Sequence, residues 1–145
     1  MKIRFCLLLA LLLTPAACVD GGPQPAGAAY VEIVNGGSFS GGMVLRIYAD
    51  DRLETIESGP FGQKGQRSET QGLPGSYRKV LQLALAEGPK VQRRLAVGGE
   101  HCMDYGTDAV RVVPEVGGFK GVSAGCPEAV MHDFQARLRA ALSGG

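Results

Sequence analysis

Apolar residues fall along this chain in three patterns: one unbroken run near the start, several short alternating stretches, and two stretches at helical spacing. Alternation puts successive side chains on opposite faces of a strand, whereas recurrence every three or four residues lines one face of a helix. The first alternating stretch is 30–34, where Tyr30, Glu32 and Val34 interleave with Val31 and Ile33. Asn35-Gly36-Gly37 ends it with turn chemistry. A second covers 43–49, with Val44, Arg46 and Tyr48 on one side and Leu45 and Ile47 on the other. A third covers 52–57, with Leu53 and Ile56 as its apolar members. The Asp50-Asp51 turn between the last two predicts a β-hairpin.

Residues 58–74 carry no period. Glycines, Lys64, Arg67 and Glu69 surround the apolar anchor Phe61, and the stretch reads as a surface loop rather than a binding loop. In 77–87, Tyr77, Val80, Leu81, Ala84 and Leu85 share a helical face. Ser76 is a candidate cap and Gly88-Pro89 a stop. Arg78 and Lys79 at the positive end of the dipole oppose this helix, as does the alternation of Leu81, Leu83 and Leu85, but helix is the preferred reading. Residues 90–97 read as a strand through Val91, Leu95 and Val97. Residues 109–113 form another, stopped by Pro114, and 119–124 pair back after Gly117-Gly118. The last element is a helix beginning at Pro127, with Val130, Phe134, Leu138, Ala141 and Leu142 as its stripe and an Asp133–Arg137 pair four residues apart. The expected fold is α+β: a small antiparallel sheet of about six short strands, with two helices packed on one face and one disulfide.

The unbroken run, residues 5–13, follows Lys2 and Arg4 and precedes Thr14-Pro15-Ala16-Ala17-Cys18. This is the layout of a secretory signal peptide, and the run is too short to span a bilayer, which takes about 20 residues. Small residues directly before a cysteine resemble the lipobox of bacterial lipoproteins, with Pro15 standing where lipoboxes usually carry an aliphatic side chain. The resemblance covers residues 1–18. It implies cleavage before Cys18, lipidation of Cys18, and a partner in the lipid bilayer of the bacterial envelope, with the domain facing the periplasm. Each buried methylene of an acyl chain contributes about 0.8 kcal/mol, so several chains anchor firmly. The alternative is a soluble periplasmic or secreted protein, cut after Ala26-Gly27-Ala28. The chain then divides into a signal peptide (1–17), a lipidated cysteine and flexible Gly/Pro/Ala tether (18–28), and one globular domain (29–143).

Loss of Lys2 and Arg4 with the leader leaves 13 basic against 14 acidic residues, a net charge near −1. No basic patch argues for nucleic acid. Cys6 departs with the leader. With Cys18 as lipid acceptor, Cys102 and Cys126 remain as an even pair in an oxidising compartment, which predicts a disulfide clamping the base of the 109–124 hairpin.

Four constellations carry possible chemistry. Glu100-His101-Cys102 with Asp104 contains metal-ligand types, but adjacent strand residues point to opposite faces. Cys126-Pro127 at a helix start suits a nucleophilic thiol only if Cys126 is free. Asp104-Tyr105-Gly106-Thr107-Asp108 offers two carboxylates for Ca²⁺ or acid–base work, but lacks the length of an EF-hand loop and reads as a side-chain-held turn. Ser58-Gly59-Pro60-Phe61-Gly62 is no P-loop, and Phe61 reads as a plug into the core rather than a partner-binding tip. No catalytic, metal or cofactor residues are assigned. The expected role is non-enzymatic: binding or accessory work in the envelope, with another envelope protein as a possible partner. Two alternatives are a periplasmic inhibitor of a secreted hydrolase such as lysozyme, and a small enzyme using the turn from Asp104 to Asp108 or a free Cys126.

Overall fold

The computed structural model describes residues 28–37, 39, 41–95, 102–103, 105–143. The leader, Cys18 and the tether up to residue 27 lie outside the described residues, as do 96–101 and Asp104. In chain order the elements are β1 (Tyr30–Asn35), β2 (Gly42–Tyr48), β3 (Arg52–Ser58), a 3-10 turn (Pro60–Gly62), β4 (Arg67–Gln71), α1 (Ser76–Leu95), β5 (Asp108–Val116), β6 (Phe119–Ala124) and α2 (Ala129–Ala140). The strands form one antiparallel sheet in the order β4-β3-β2-β1-β5-β6. Both helices pack on one face of it, as the hydrophobic pattern anticipates. Val31 and Ile33 of β1, Ile47 of β2, and Val110 and Val112 of β5 point to that face. Val80, Ala84 and Val91 of α1 and Met131, Phe134 and Leu138 of α2 meet them there. This core closes within residues 31–138.

The helix expected at 77–87 and the strand expected at 90–97 are one element as far as Leu95. Helix α1 runs through Gly88 and Pro89. A proline inside a helix costs about 3 kcal/mol when nothing compensates. Here Val80, Ala84, Gly88 and Val91 continue one buried stripe across the break. Gly88 itself is a contact: a Cβ there would lie 2.2 Å from Cζ of Phe119 on β6. The missing side chain lets the helix lie against that ring.

The start of α1 is held from a distance. Asp51, at φ 64 in the β2–β3 turn, accepts the Gly75 N–H at 2.6 Å and the Tyr77 N–H at 2.8 Å. Its carboxylate supplies the negative charge that the first turn lacks and offsets Arg78. The Tyr77 N–H first, then the Gly75 N–H, hold the Asp51 carboxyl below its ordinary value. A depressed folded pKa adds stability above the unfolded value of about 3.9 and loses it as pH falls through the folded one. Asp51→Asn is therefore expected to be less stable than the parent at pH 7, with the gap closing as the pH falls below about 4. Urea melts at pH 7 and pH 3 check this, and a gap that is the same at both would contradict the cap.

Three further expectations are corrected. The loop 58–74 contains β4, an edge strand whose five residues, Arg67–Gln71, are all exposed. With no buried face it has no hydrophobic alternation to read. β5 does not stop before Pro114 but runs to Val116, through a cis Val113–Pro114 bond. Its pairing with β1 ends at Val113, and its register with β6 shifts between Arg111 and Val116, so Pro114 sits outside the regular ladder. Helix α2 begins at Ala129 rather than Pro127, and its buried stripe is Met131, Phe134, Gln135 and Leu138. Val130, Ala141 and Leu142 only flank it. Arg137 meets Glu87 of α1 at 2.7 Å instead of Asp133.

Gly117 and Gly118, at φ 59 and 79, make the β5–β6 turn. Cys102 and Cys126 are joined by a disulfide across the open end of that hairpin, where the Cys102 N–H donates to the Gly125 carbonyl at 3.2 Å.

Candidate functional site

The sheet has two poles, set by the direction of β1. The chain enters at Tyr30, opposite Tyr48 and Val113. The Asp50-Asp51 turn, the start of α1 and the Gly117-Gly118 turn share this entry pole. Six residues of strand, about 17 Å, lead to Asn35 at the opposite pole. There lie the β1–β2 loop, the 3-10 turn after β3, the start of β5 and the disulfide.

At this far pole Phe61 is 73 % exposed, not plugged into the core. It sits at φ 55, ψ 32, the left-handed region. That region is a genuine outlier for a bulky residue and costs of order 1 kcal/mol or more. The turn is closed by Gly59 N–H to Gln63 O at 3.0 Å and Gln63 N–H to Pro60 O at 3.2 Å. Phe39, 48 % exposed in the β1–β2 loop, meets Phe61 edge-on with ring centroids 5.2 Å apart. The bases of the two loops are pinned together. The Gly42 N–H donates to Ser58 Oγ at 3.0 Å, and the Ser58 hydroxyl donates to the Gly42 carbonyl at 3.3 Å. Gly41, at φ 85, passes so close that a Cβ would lie 2.3 Å from the Ser58 carbonyl oxygen. Rigid bases thus carry an exposed aromatic pair.

Beside the disulfide, still at the far pole, Asp108 is 1 % exposed and fully engaged. Its Oδ1 accepts the Gly36 N–H at 3.3 Å; its Oδ2 accepts the Tyr105 hydroxyl at 2.7 Å and lies 3.0 Å from His132 Nε2. Burial first, then Asp108, pushes the Tyr105 hydroxyl up to about 12. Gln135 donates to the Val34 and Ala109 carbonyls at 2.8 and 3.3 Å and accepts from Asn35 at 2.7 Å. Arg139 donates to Asn35 Oδ1, and burial lowers its pKa. These bonds clasp α2 and the loop after the disulfide onto the end of β1. They engage both oxygens of the Asp108 carboxylate, which ties Gly36, Tyr105 and His132 together. Asp108 is brought to His132 and Gly36; its proposed partner Asp104 lies outside the described residues. The Glu100-His101 part of the first constellation does too. The nucleophilic reading of Cys126 is overturned, because its sulfur is bonded to that of Cys102. Among the described residues no group of three or more His, Cys, Asp or Glu side chains is placed to hold a metal ion.

The sheet face away from the helices carries a row of charges that strand-by-strand reading does not assemble. Cross-strand register aligns Arg111, Glu32, Arg46, Glu54 and Glu69. Glu32 is 2.5 Å from Arg111 and 2.8 Å from Arg46; Glu54 is 3.5 Å from Arg46 and 2.6 Å from Arg67. Tyr48 donates to Glu54 at 2.5 Å, and Arg52 lies over the Tyr48 ring. Burial, then Glu54, raises the Tyr48 hydroxyl. Both glutamates are buried and each faces two arginines, although Glu54 Oε1, close to Arg67, makes no well-directed hydrogen bond. The parity of Glu32, Arg46, Glu54 and Arg111 in their strands is the signal from which the row follows.

Among the described residues no helix is long and apolar enough to cross a membrane. No protein-family model, curated protein or solved structure matches this chain.

Proposed function

We propose that the chain is a membrane-anchored envelope lipoprotein whose domain has a non-enzymatic binding role, and that it engages a partner protein through the pole opposite its tether. The observation that carries this reading is Phe61: an aromatic ring held in a costly backbone conformation and turned out to solvent, with Phe39 against it. Strain of this kind persists where the surrounding structure enforces it, and it gathers at binding sites. Aromatic residues are also favoured anchors of protein interfaces. An anchor at Cys18 would put the membrane at the entry pole and aim the aromatic pair away from it. The disulfide leaves the enzyme alternative without a free Cys126 thiol, and Asp104 of its acidic turn lies outside the described residues.

A photo-crosslinking residue placed at position 61 of the full chain in cells is expected to yield a covalent adduct with one envelope protein. The same residue at position 79, at the exposed start of α1 on the entry pole, is expected to yield none. Palmitate labelling that disappears in Cys18→Ala is the expected companion result. No adduct at 61, or the same adduct from both positions, would overturn the assigned pole. A secreted hydrolase in the adduct would specify the role as inhibition.

A further inference from the structure

The open face of the sheet changes character between β1 and β6. Over β1 to β4 it is paved with Arg, Glu and Tyr side chains. Over β5 and β6 small residues, Ala109, Gly121 and Ser123, stand beside Arg111 and Lys120, and a hollow of about 620 Å³ opens at this end of the sheet and reaches Leu95 at the end of α1. Its floor is set by two positions. Ala109 is small and buried. Gly121, at φ 144, approaches β5 so closely that a Cβ would lie 2.4 Å from the Val110 carbonyl oxygen, so no side chain fits there. The volume is within the range of about 300–1,000 Å³ that small-molecule sites occupy.

The lining is amphipathic. Val113 and Leu95 give the hollow an apolar side, and Arg111 and Lys120 stand on its rim. The Arg111 side chain is 54 % exposed, and Nη1 is the atom that pairs with Glu32. Lys120 is exposed, and no carboxylate pairs with it among the described residues. One cation shared with Glu32 and one without a carboxylate partner among the described residues suit a single negative charge better than two.

We propose that this hollow binds a small aliphatic carboxylate, with its head between Arg111 and Lys120 and its chain along Val113 and Leu95. The site is separate from the aromatic pole and stands or falls independently of it.

Residues 29–143 contain the buried core of the described residues, so a ¹⁵N-labelled protein of that span can be titrated with octanoate, and with octanol as the uncharged counterpart. Saturable amide shifts are expected at Thr107, Arg111, Gly121 and Ser123, with octanol weaker by about tenfold or more. Lys120→Glu, at an exposed edge position, should weaken octanoate by a similar factor while the rest of the spectrum is unchanged. Ser123→Trp should fill the hollow and abolish the shifts. Absence of saturable shifts in the parent protein would overturn the proposal. So would shifts confined to other strands, equal affinity for octanol, or unaltered octanoate binding by Lys120→Glu.

Discussion

Phe134→Asp is expected to abolish folding. Phe134 is fully buried in the middle of the α2 stripe, between Met131 and Leu138, where α2 meets α1 and β5. Truncating a buried phenylalanine costs about 3–5 kcal/mol. A carboxylate in its place must also leave water with no partner, which costs several kcal/mol more unless it takes up a proton. The sum reaches the total stability of a typical domain, about 5–15 kcal/mol. Phe134→Leu keeps most of the volume and the polarity, and should cost only about 1–2 kcal/mol. Soluble yield and far-ultraviolet circular dichroism of the two variants make the comparison. A native spectrum from the Asp variant would show that this is not the docking face of α2.

The second large effect is expected on removing the disulfide. Cys102 and Cys126 are 24 residues apart. Opening a loop of that size costs about 3.5 kcal/mol in the chain-entropy account. For a domain of this size that lowers Tm by about 10–15 °C. The double variant Cys102→Ser/Cys126→Ser should melt that much lower, and reducing the parent protein should reproduce the shift. A second consequence is local. Tyr105 reaches Asp108 from the segment that the disulfide ties to β6, so the clasp on His132 should loosen in the same variant. Equal melting temperatures with and without reductant would mean that the clasp alone fixes the loop.

The hairpin of β2 and β3, the central strand β1, the β5–β6 turn and the disulfide were legible because each depends on neighbours in sequence. Apolar alternation, an Asp-rich turn, a Gly-Gly turn and an even pair of cysteines are local signals. What was not legible depends on distant contacts. Gly88-Pro89 is a stop by every local rule, and it is overridden by Phe119, which fills the space a side chain would take. The expected number of strands is right, but one member differs: β4 replaces the stretch 90–97, because an edge strand exposed along its whole length shows no period. The start of α1 has no acidic residue of its own and takes its cap from Asp51, 26 positions before Tyr77. The candidate site divides the same way. Phe61 was singled out as the apolar residue of its loop, but its direction depends on a backbone turn and on Phe39 across the pole. His132 carries no local mark, and only topology brings it to Asp108.

The two outer strands of the sheet matter for how copies of this chain behave together. An unpaired strand edge offers backbone groups to any neighbouring chain. β4 meets that hazard with Arg67-Ser68-Glu69-Thr70-Gln71, a sequence with no apolar side chain to reward stacking. β6, at the other end, is kinked by the register shift opposite β5 and carries Lys120 next to the bend at Gly121. Neither border gives a clean, greasy template for strand addition. The same loop-like polarity that hid β4 from sequence reading therefore protects the protein from growing into larger sheets at high local concentration.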